Sequence, residues 1–537
     1  MYDYVIVGAG SAGCVLAARL TEDPDVSVLL LEAGPPDTLD NIHIPAGVTA
    51  LGTSAVEWDY STGCEPHCDG RRIWLPRGKT LGGSSSTNAM VYIRGNRADY
   101  DAWRDAGCSG WGFDDLLPYF KRAEDNERGA SEWHGTGGPL TVSGGRHPNP
   151  MMDAFLDACE EAGFARNDEF NGVSQDGFGH YQLTQRDGRR CSTAVAYLHP
   201  AMERANLTVE TGLQVERVVL EGMRAVGVEG SRNGELLRFE AGREVILSGG
   251  AYNSPQLLML SGIGPADHLA SRLIEPVLDR PAVGRNLTDH VNVWVLWRSL
   301  DPVSLATAMA PEFIDANVEA FEQRGTGPLT SNLAESGGFV RTSDDLDAPD
   351  LQFHAIPAIL SEDPPFGLAE HGFSLGVCLL TPKTAGELYL RSPEPTAKPT
   401  IFHRYLEADE DMARMEAGVE LMLDICGQSA LSRYCAQPEQ VPASRSSDDL
   451  RAYIRRHAQT LYHPVGTCAM GPDQDTVVDL ELRVRGVEAL RVVDASVMPR
   501  VPRGNTNAPT IAIAERAADL IKGVAPASET ALEAGAA

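Results

Sequence analysis

The sequence predicts a mixed α/β fold in which a layer built from βαβ units is joined to a second, antiparallel layer. Residues 2–31 run through an apolar strand, a glycine-rich turn, a helical pattern and a second apolar strand, which is the order of one βαβ unit. Residues 300–400 are irregular and hold many prolines, with an alternating run at 387–391 that is typical of an antiparallel layer. The length of 537 residues exceeds what one core usually supports, so two domains are expected.

The first unit carries a glycine fingerprint between its strand at 2–7 and its helix at 11–22. Gly8 permits a tight turn out of the strand, Gly10 lets the backbone approach a pyrophosphate, and Gly13 lets the helix pack closely on the strand. The N-terminus of this helix would hold the pyrophosphate, because its free N–H groups and its dipole favour an anion.

The second strand of the unit, at 26–31, ends at Glu32, nineteen residues after Gly13. A carboxylate at this place accepts hydrogen bonds from the ribose hydroxyls and repels a 2′-phosphate, so NADP is disfavoured. Strand, turn, helix, strand and acid fall in the required order, and we therefore predict a dinucleotide site. The alternative is a tight strand–helix turn without a ligand, and the unit by itself does not separate FAD from NAD.

Later segments predict further strands and helices. We expect strands at 209–220, 225–229 and 244–248. A helix should start near Ser254 and Pro255, as N-cap and first helical residue, and should close at Gly262. The alanine-rich residues 524–537 are expected to fray. Other helical patterns cover 409–426, 447–457 and 508–522.

Composition and charge exclude several classes of partner. The formal net charge is −30, whereas nucleic-acid binding needs clustered Lys and Arg, so we expect no nucleic acid as a partner. No run of about 18 apolar residues is present, and the N-terminus lacks the basic leader of a signal peptide, which predicts a cytoplasmic location. Cys64, His67 and Cys68 lie close together, but no second pair follows at zinc-site spacing, so no metal is expected.

Further motifs, spread over almost the whole chain, resemble the glucose-methanol-choline family of oxidoreductases and occur in that family's order. Within the family the chain most resembles bacterial alkanol and choline dehydrogenases, and two more segments, Asn88–Gly95 and Ser331–Phe339, look like the alkanol dehydrogenase branch. The family motifs are Arg77–Asn88, Gly249–Pro265, Tyr462–Thr467, and Val493–Pro499 followed by Gly504–Thr510.

This resemblance implies a Rossmann-like FAD-binding domain with a discontinuous antiparallel-sheet substrate-binding domain. We assign residues 1–150, 191–297 and 456–524 to the FAD-binding domain. Residues 151–190 and 298–455 form the substrate-binding domain, and 525–537 form a flexible tail.

The resemblance also implies FAD rather than NAD. Some family members tether the flavin through a His in the Gly-Gly-x-Ser-Ser loop, and Thr87 stands at that position here, so non-covalent FAD is expected. The residues expected to bind FAD are Gly8, Gly10, Ser11, Ala12, Gly13, Glu32, Ala33, Gly82, Gly83, Ser84, Asn88, Ala89, Met90, Val91, Val215, Asp494, Ala495, Asn505 and Asn507.

Alcohol oxidation needs a base for the hydroxyl proton, and a neutral imidazole suits this task near neutral pH. His463 matches the family's catalytic base, and Asn507 occupies the place of the His or Asn that the family pairs with it. Read without the resemblance, His463 could simply end a strand, and Asn507 could be a helix N-cap. Tyr462 and Glu335 are expected to contact the substrate, although Glu335 could instead be a buried structural partner.

The implied function is FAD-dependent oxidation of a primary alcohol to an aldehyde, by hydride transfer to flavin N5. Electrons would pass to a quinone or another non-oxygen acceptor, which allows peripheral contact with the inner membrane. The alternatives are an alcohol oxidase that uses O2 and makes H2O2, or a choline dehydrogenase. Two other classes share the fingerprint: a nicotinamide dehydrogenase, which would be colourless, and a flavoprotein without catalytic activity.

Overall fold

The computed structural model describes residues 1–308, 310–360 and 370–525. The predicted mixed α/β fold is confirmed: two seven-stranded sheets organise this part of the chain, one largely parallel and one antiparallel. Each sheet packs its side chains into its own large apolar cluster. Residues 300–400 contribute three strands to the second sheet, as the predicted antiparallel layer requires, but the alternating run at 387–391 pairs separately with Thr400–Phe402.

The first sheet is parallel at its centre because its strands are apolar throughout. Val5 and Ile6 are fully buried, as are Val28–Leu30, which is typical of parallel strands covered on both faces. The strand Leu490–Val492 joins alongside Glu235–Leu247. Across the sheet the strand order is Leu207–Glu210, Val28–Leu31, Tyr2–Val7, Glu235–Leu247, Arg224–Arg232 and Gln214–Glu221.

The second sheet is antiparallel. The short strand Gln459–Thr460 pairs with one end of Val291–Arg298 and so brings the chain into the predicted catalytic segment. Across the sheet the strand order is Gln437–Gln440, Val291–Arg298, Gly372–Leu379, Leu351–Ile356, Ser336–Val340 and Gly177–His180. The remaining strand pairs are Ile263–Gly264 with Leu278–Asp279, Glu387–Tyr389 with Thr400–Phe402, Tyr60–Ser61 with Trp74–Leu75, Glu124–Asn126 with Leu140–Val142, and Gln185–Arg186 with Arg189–Arg190.

The helices surround these sheets, and several agree with prediction. Across the described residues no helix is long and apolar enough to cross a bilayer. The α-helices are Ser11–Leu20, Asp40–His43, Arg97–Asp105, Phe113–Ala123, Pro150–Glu161, His199–Ala201, Gly250–Leu260, Ala266–Ser271, Leu305–Ala308, Pro311–Arg324, Asp409–Cys426, Ser447–His457 and Asn507–Lys522. Short 3₁₀-helices cover Pro45–Thr53, Gly83–Ser86, Pro328–Thr330, Ser429–Leu431 and Ala495–Val497, and one turn of π-helix covers Ala194–Leu198.

Several predicted elements were wrong in their limits, among them the strand predicted at 244–248, which begins at Glu235. The single strand expected at 209–220 is two strands, because the chain turns at Gly212, whose φ of 66° suits glycine. The helix expected from Ser254 begins at Gly250 instead. Pro255 is tolerated inside it because the hydroxyl of Thr467 donates to the Ala251 carbonyl that proline cannot bond.

The domain limits are placed differently by the strand pairing. The strand Val291–Arg298 belongs to the antiparallel sheet, although residues up to 297 were assigned to the other domain. The same is true of Gln459–Thr460. We therefore infer that the substrate-binding domain begins near residue 291 and extends past residue 455. Of the predicted tail, residues 526–537 lie outside the described residues.

Candidate active site

One cavity of about 390 Å³ joins the two predicted centres, because both the glycine turn after the first strand and His463 line it. The cavity extends from the glycine fingerprint to His463 and has both polar and apolar walls, which suits an extended ligand. The predicted cofactor residues that line this cavity are Gly8, Gly10, Ser11, Ala12, Glu32, Ala33, Gly83, Ser84, Asn88, Ala89, Met90, Val91, Val215, Asp494, Ala495, Asn505 and Asn507.

The glycines of the turn are required by close backbone packing. A Cβ on Gly13 would lie 1.9 Å from the Gly8 carbonyl oxygen, so only glycine lets the first helix approach the first strand. A Cβ on Gly83 would lie 2.7 Å from the Cα of Gly10. Gly13 and Gly82 are absent from the described lining residues, and Gly82 instead donates its N–H to the Ala9 carbonyl at 2.7 Å. These two therefore shape the turn.

Glu32 is buried at the end of the second strand, as predicted from its place in the unit. Its carboxylate accepts the backbone N–H of Ala9 at 2.9 Å and that of Gly34 at 2.8 Å. Burial raises the pKa of Glu32 to about 7, although these two N–H donors oppose the shift. Glu32 therefore lies beside a glycine turn whose backbone lines the cavity. This arrangement fits the adenosine ribose and the pyrophosphate of FAD.

We expect FAD binding to weaken as the pH falls through about 7. Ribose hydroxyls that donate to Glu32 favour its ionised form, so binding below the raised pKa requires loss of a proton. The dissociation constant should then rise by up to about tenfold per pH unit below about 7. Titration of the apoprotein with FAD at several pH values measures this slope. In Glu32→Gln the affinity should be lower and the slope flat; an unchanged slope would contradict the assignment.

Asp494 holds another part of the cavity wall. Its carboxylate accepts the Gly250 N–H at 2.8 Å and the Ser254 hydroxyl at 2.6 Å. Burial raises the pKa of Asp494. The carboxylate thus ties the start of the helix Gly250–Leu260 to the chain that leads into Ala495.

His463 is buried at the other end of the cavity, and its hydrogen bonds fix its tautomer. The side-chain amide N–H of Asn505 lies 3.3 Å from Nε2, and the Asn505 amide oxygen accepts from Gln352 at 3.2 Å. Because an amide NH2 group only donates, Nε2 of His463 must carry the lone pair. Its Nδ1–H then donates to Nδ1 of His290 at 2.9 Å. The Nε2 lone pair of His463, which would accept a proton, therefore points toward Asn505.

The surroundings keep His463 neutral. Burial lowers the pKa of His463 well below its usual value, and His290, His354 and Arg77 add to the effect because they disfavour a second cation. Burial also lowers the pKa of His290 to about 4 and that of His354 to about 3. At neutral pH the imidazole of His463 is thus an acceptor of protons.

A buried carboxylate that the motif analysis missed anchors this centre. Asp289 accepts the backbone N–H of His463 at 2.7 Å and that of His290 at 2.9 Å. Its second oxygen accepts the hydroxyls of Thr460 and Tyr405. Asp289 and His290 directly precede the strand Val291–Arg298, and only that strand's pairing with Gln459–Thr460 reveals their proximity to His463.

The structure places the two predicted asparagines differently from expectation. Asn505, predicted only to bind the cofactor, is the amide next to His463. Asn507, predicted to pair with His463, lines the same cavity but accepts the Ser11 hydroxyl at 2.7 Å. It is the first residue of the last helix, whose N-cap is Thr506 rather than Asn507. This contact brings the N-termini of the first and last helices together.

The two asparagines should therefore respond differently to substitution. Asn505→Ala removes the donor beside Nε2 of His463 and should slow alcohol-dependent flavin reduction by about 10²–10³-fold, as loss of an oxyanion donor does. Asn507→Ala breaks the link to Ser11 and should chiefly raise the dissociation constant of FAD. Stopped-flow reduction and FAD titration of both variants check this. If Asn507→Ala instead slowed flavin reduction and Asn505→Ala weakened FAD binding, the predicted pairing of His463 with Asn507 would be supported.

The predicted substrate contacts divide in the same way. Tyr462 lines the cavity, with a φ of 71°, and its carbonyl accepts from Arg77 at 2.6 Å. Glu335 is absent from the described lining residues. Its carboxylate accepts the Ser331 hydroxyl at 2.5 Å and pairs with Nδ1 of His147 at 2.8 Å. These contacts agree with the alternative that Glu335 is a structural partner and does not contact the substrate.

Comparison with known proteins places the whole chain in one family. Models of the GMC oxidoreductase family match residues 2–292 and 382–514. An alcohol dehydrogenase [acceptor] of Pseudomonas putida is 45% identical over 530 residues, covering 97% of this chain and 96% of the relative. Human mitochondrial choline dehydrogenase is 44% identical over 534 residues, covering 97% of this chain and 90% of the relative.

Solved structures share the fold over nearly the full length. Pyridoxine 4-oxidase from Mesorbium loti superposes with a TM-score of 0.89 at 34% identity, covering 98% of this chain and 100% of that one. Formate oxidase from Aspergillus oryzae RIB40 gives a TM-score of 0.92 at 28% identity, with 99% of both chains covered. The chain therefore belongs to the GMC oxidoreductase family and is an FAD-binding oxidoreductase.

Proposed function

We propose that this enzyme oxidises a primary alcohol to the aldehyde. The observation that carries the proposal is the neutral imidazole of His463, which lines the same cavity as the glycine fingerprint and directs its Nε2 lone pair toward the Asn505 amide. When bound, FAD supplies the hydride acceptor. The protein's own residues must then remove the hydroxyl proton, hold the oxygen and keep water out.

His463 performs the proton transfer in this proposal. Its Nε2 accepts the hydroxyl proton of the alcohol, while its Nδ1–H remains bonded to His290 and keeps the ring oriented. The amide N–H of Asn505, on the Nε2 side, donates to the oxygen as negative charge develops there. Burial of His463 removes competing water, which strengthens both interactions.

We propose that FAD binds non-covalently. The position at which some family members carry a tethering His is Thr87, which lines the cavity and whose hydroxyl cannot form that bond. Acid or heat denaturation followed by filtration should release all the yellow colour. Flavin that stays with the denatured chain would contradict this part of the proposal.

We propose a neutral alcohol rather than choline as the substrate. An ammonium group needs a carboxylate or open aromatic faces. The ionisable Lys79 already lies over the Trp58 ring at 4.6 Å, and Glu57, which also lines the cavity, accepts the backbone N–H of Arg77. The other described carboxylates of the lining, Glu32 and Asp494, are held by backbone N–H groups as well. The apolar lining includes Val48, Leu51, Trp294, Leu296, Leu333, Ala334, Ile356, Leu360 and Leu461.

We propose a quinone or another non-oxygen carrier as the electron acceptor. The similarity to an alcohol dehydrogenase [acceptor] at 45% identity supports this choice. Reduction of a lipid quinone would bring a cytoplasmic protein into peripheral contact with the inner membrane. The fold is shared with two enzymes named oxidases, so oxygen is the alternative acceptor.

Anaerobic stopped-flow absorbance tests the proposal. The holoenzyme is mixed with a series of primary alkanols and, separately, with choline. Rapid bleaching of the flavin band by an alkanol is expected, with little bleaching by choline; bleaching by choline alone would establish the alternative substrate. Oxygen or a soluble quinone is then admitted to the reduced enzyme. Faster recovery of colour with quinone supports a dehydrogenase, faster recovery with oxygen identifies an oxidase, and no bleaching by any alcohol refutes the proposal.

A further inference from the structure

Arg190 is a buried arginine that binds the loop from Ser85 to Asn88, the last residue of which lines the cavity. Its guanidinium donates to the backbone carbonyl of Ile42 at 2.6 Å and to that of Ser85 at 3.2 Å. The same side chain reaches Asn88, where it donates to the backbone carbonyl at 2.6 Å and to the amide oxygen Oδ1 at 2.9 Å. Only 2% of Arg190 is exposed. It thus joins the helix Asp40–His43 to a loop that lines the cavity.

The charge of this arginine has no protein partner. In the part of the chain that the structure describes, its hydrogen bonds go only to carbonyl and amide oxygens, and its buried Nη2 has no acceptor. Burial lowers the pKa of Arg190 to about 9, so the guanidinium stays charged at neutral pH. A buried, unpaired charge is costly, and a nearby anion would offset that cost.

The contact with Arg190 also fixes the orientation of Asn88. Oδ1 of Asn88 accepts from Arg190 and, at 3.0 Å, from the backbone N–H of Met90. Met90 has a φ of 58°, a left-handed conformation that places its N–H toward Asn88. Both interactions engage the oxygen, which leaves the amide Nδ2 of Asn88 as a hydrogen-bond donor at the cavity wall.

The chain after Arg190 holds the loop from a second direction. The Ser85 hydroxyl lies 2.9 Å from the hydroxyl of Thr193 and accepts the Thr193 N–H at 3.0 Å. A single turn of π-helix, Ala194–Leu198, follows directly, and such turns are frequent at functional sites. The segment from Arg190 to Thr193 is therefore a rigid support for the loop from Ser85 to Asn88.

We propose that Arg190 is a positioning residue for FAD: through Asn88 it presents an N–H donor to the bound cofactor, and its unpaired charge favours the cofactor's more negative, reduced form. The inference rests on the bound FAD of the proposed function, but it does not depend on which alcohol is oxidised. Arg190 itself is absent from the described lining residues, so it acts on the cofactor through Asn88 and through the field of its charge.

The midpoint potential of the bound flavin tests the inference. It is measured by photoreduction against a reference dye, which requires no alcohol substrate. Arg190→Met should shift the two-electron equilibrium toward the oxidised form by about tenfold or more, which corresponds to about 30 mV. The matched control is Arg204→Met, because Arg204 also donates to a backbone carbonyl, that of Ala18, but neither of its acceptors, Ala18 and Thr21, is among the described lining residues, whereas Asn88 is. Its potential should equal that of the unmodified protein.

Arg190→Lys separates the charge from the geometry. Lysine keeps the charge but cannot reproduce the contacts to Ser85 and Asn88, so the potential should stay closer to that of the unmodified enzyme while FAD dissociates more readily. A wild-type potential in Arg190→Met, or an equal shift in the Arg204 control, would overturn the inference. If Arg190→Met does not fold, Arg190→Lys provides the test. An FAD affinity and a visible spectrum equal to those of the unmodified enzyme in Arg190→Lys would then overturn the inference. If no alcohol reduces the enzyme, the proposed function is refuted. The midpoint potential can still be measured, because photoreduction requires no alcohol.

Discussion

Replacing His463 with alanine should slow anaerobic reduction of the flavin by alcohol by about 10²–10⁴-fold, the usual contribution of a general base. The variant loses the neutral Nε2 lone pair that lies beside the Asn505 amide in the cavity. FAD should remain bound, because Glu32 and the glycine turn are unchanged. Stopped-flow reduction at equal FAD content measures the effect.

The control for this experiment is His180→Ala. The side chain of His180 is 53% exposed and bonds to the Ser336 hydroxyl, and His180 is absent from the described residues that line the cavity. Its reduction rate should match that of the unmodified enzyme. A reduction rate in His463→Ala within tenfold of the unmodified enzyme would exclude His463 as the base.

The acid limb of the pH profile should lie below the usual range for histidine. A base works in its unprotonated form, so activity is complete above the pKa of His463 and is lost as the pH falls through it. Burial and the neighbouring His290 and His354 hold that pKa well below 6.5. The pH dependence of kcat/KM reports the value in the free enzyme. An acid limb above the usual histidine range would assign it to another group.

Local signals in the sequence predicted the elements that local interactions determine. The helix Ser447–His457 has its N-cap in Ser446, whose hydroxyl accepts from Asp449, and the last helix ends at Gly523 with a φ of 66°. The glycine fingerprint was predicted from its spacing. In the structure Gly13 must approach the Gly8 carbonyl five residues away, whereas a Cβ on Gly8 would lie 2.5 Å from the carbonyl oxygen of Ser248, in a distant segment.

The catalytic pairings could not be read in this way, because distant segments create them. His290 and His463 are 173 residues apart and meet only because Val291 pairs with Thr460 in the antiparallel sheet. The family motif led to Asn507 as the partner of His463, whereas Asn505 is the amide beside Nε2. This contact depends on Gln352, from another strand of the sheet, which orients the Asn505 amide.

The same reasoning applies to stability, where the largest expected effect comes from a residue that no motif identifies. Glu515, in the last helix, is completely buried. Its carboxylate accepts from Arg19 of the first helix at 2.9 Å, from Arg122 at 2.8 Å and from the Tyr197 hydroxyl at 2.8 Å. Four segments of the FAD-binding side of the molecule thus converge on one carboxylate.

Glu515→Ala should lower the free energy of unfolding by about 3–5 kcal/mol, because it leaves two partly buried guanidinium groups without their shared acceptor. Urea unfolding of the FAD-loaded protein measures the change. Asp114→Asn is the matched control, since it breaks the exposed pair of Arg97 with Asp114, whose side chains are 45% and 75% exposed, and should change little. Equal losses in the two variants would mean that the buried network is no more stabilising than a surface ion pair. A large loss in Glu515→Ala alone would show that the helix carrying Asn507 at its start is held by charge as well as by apolar packing.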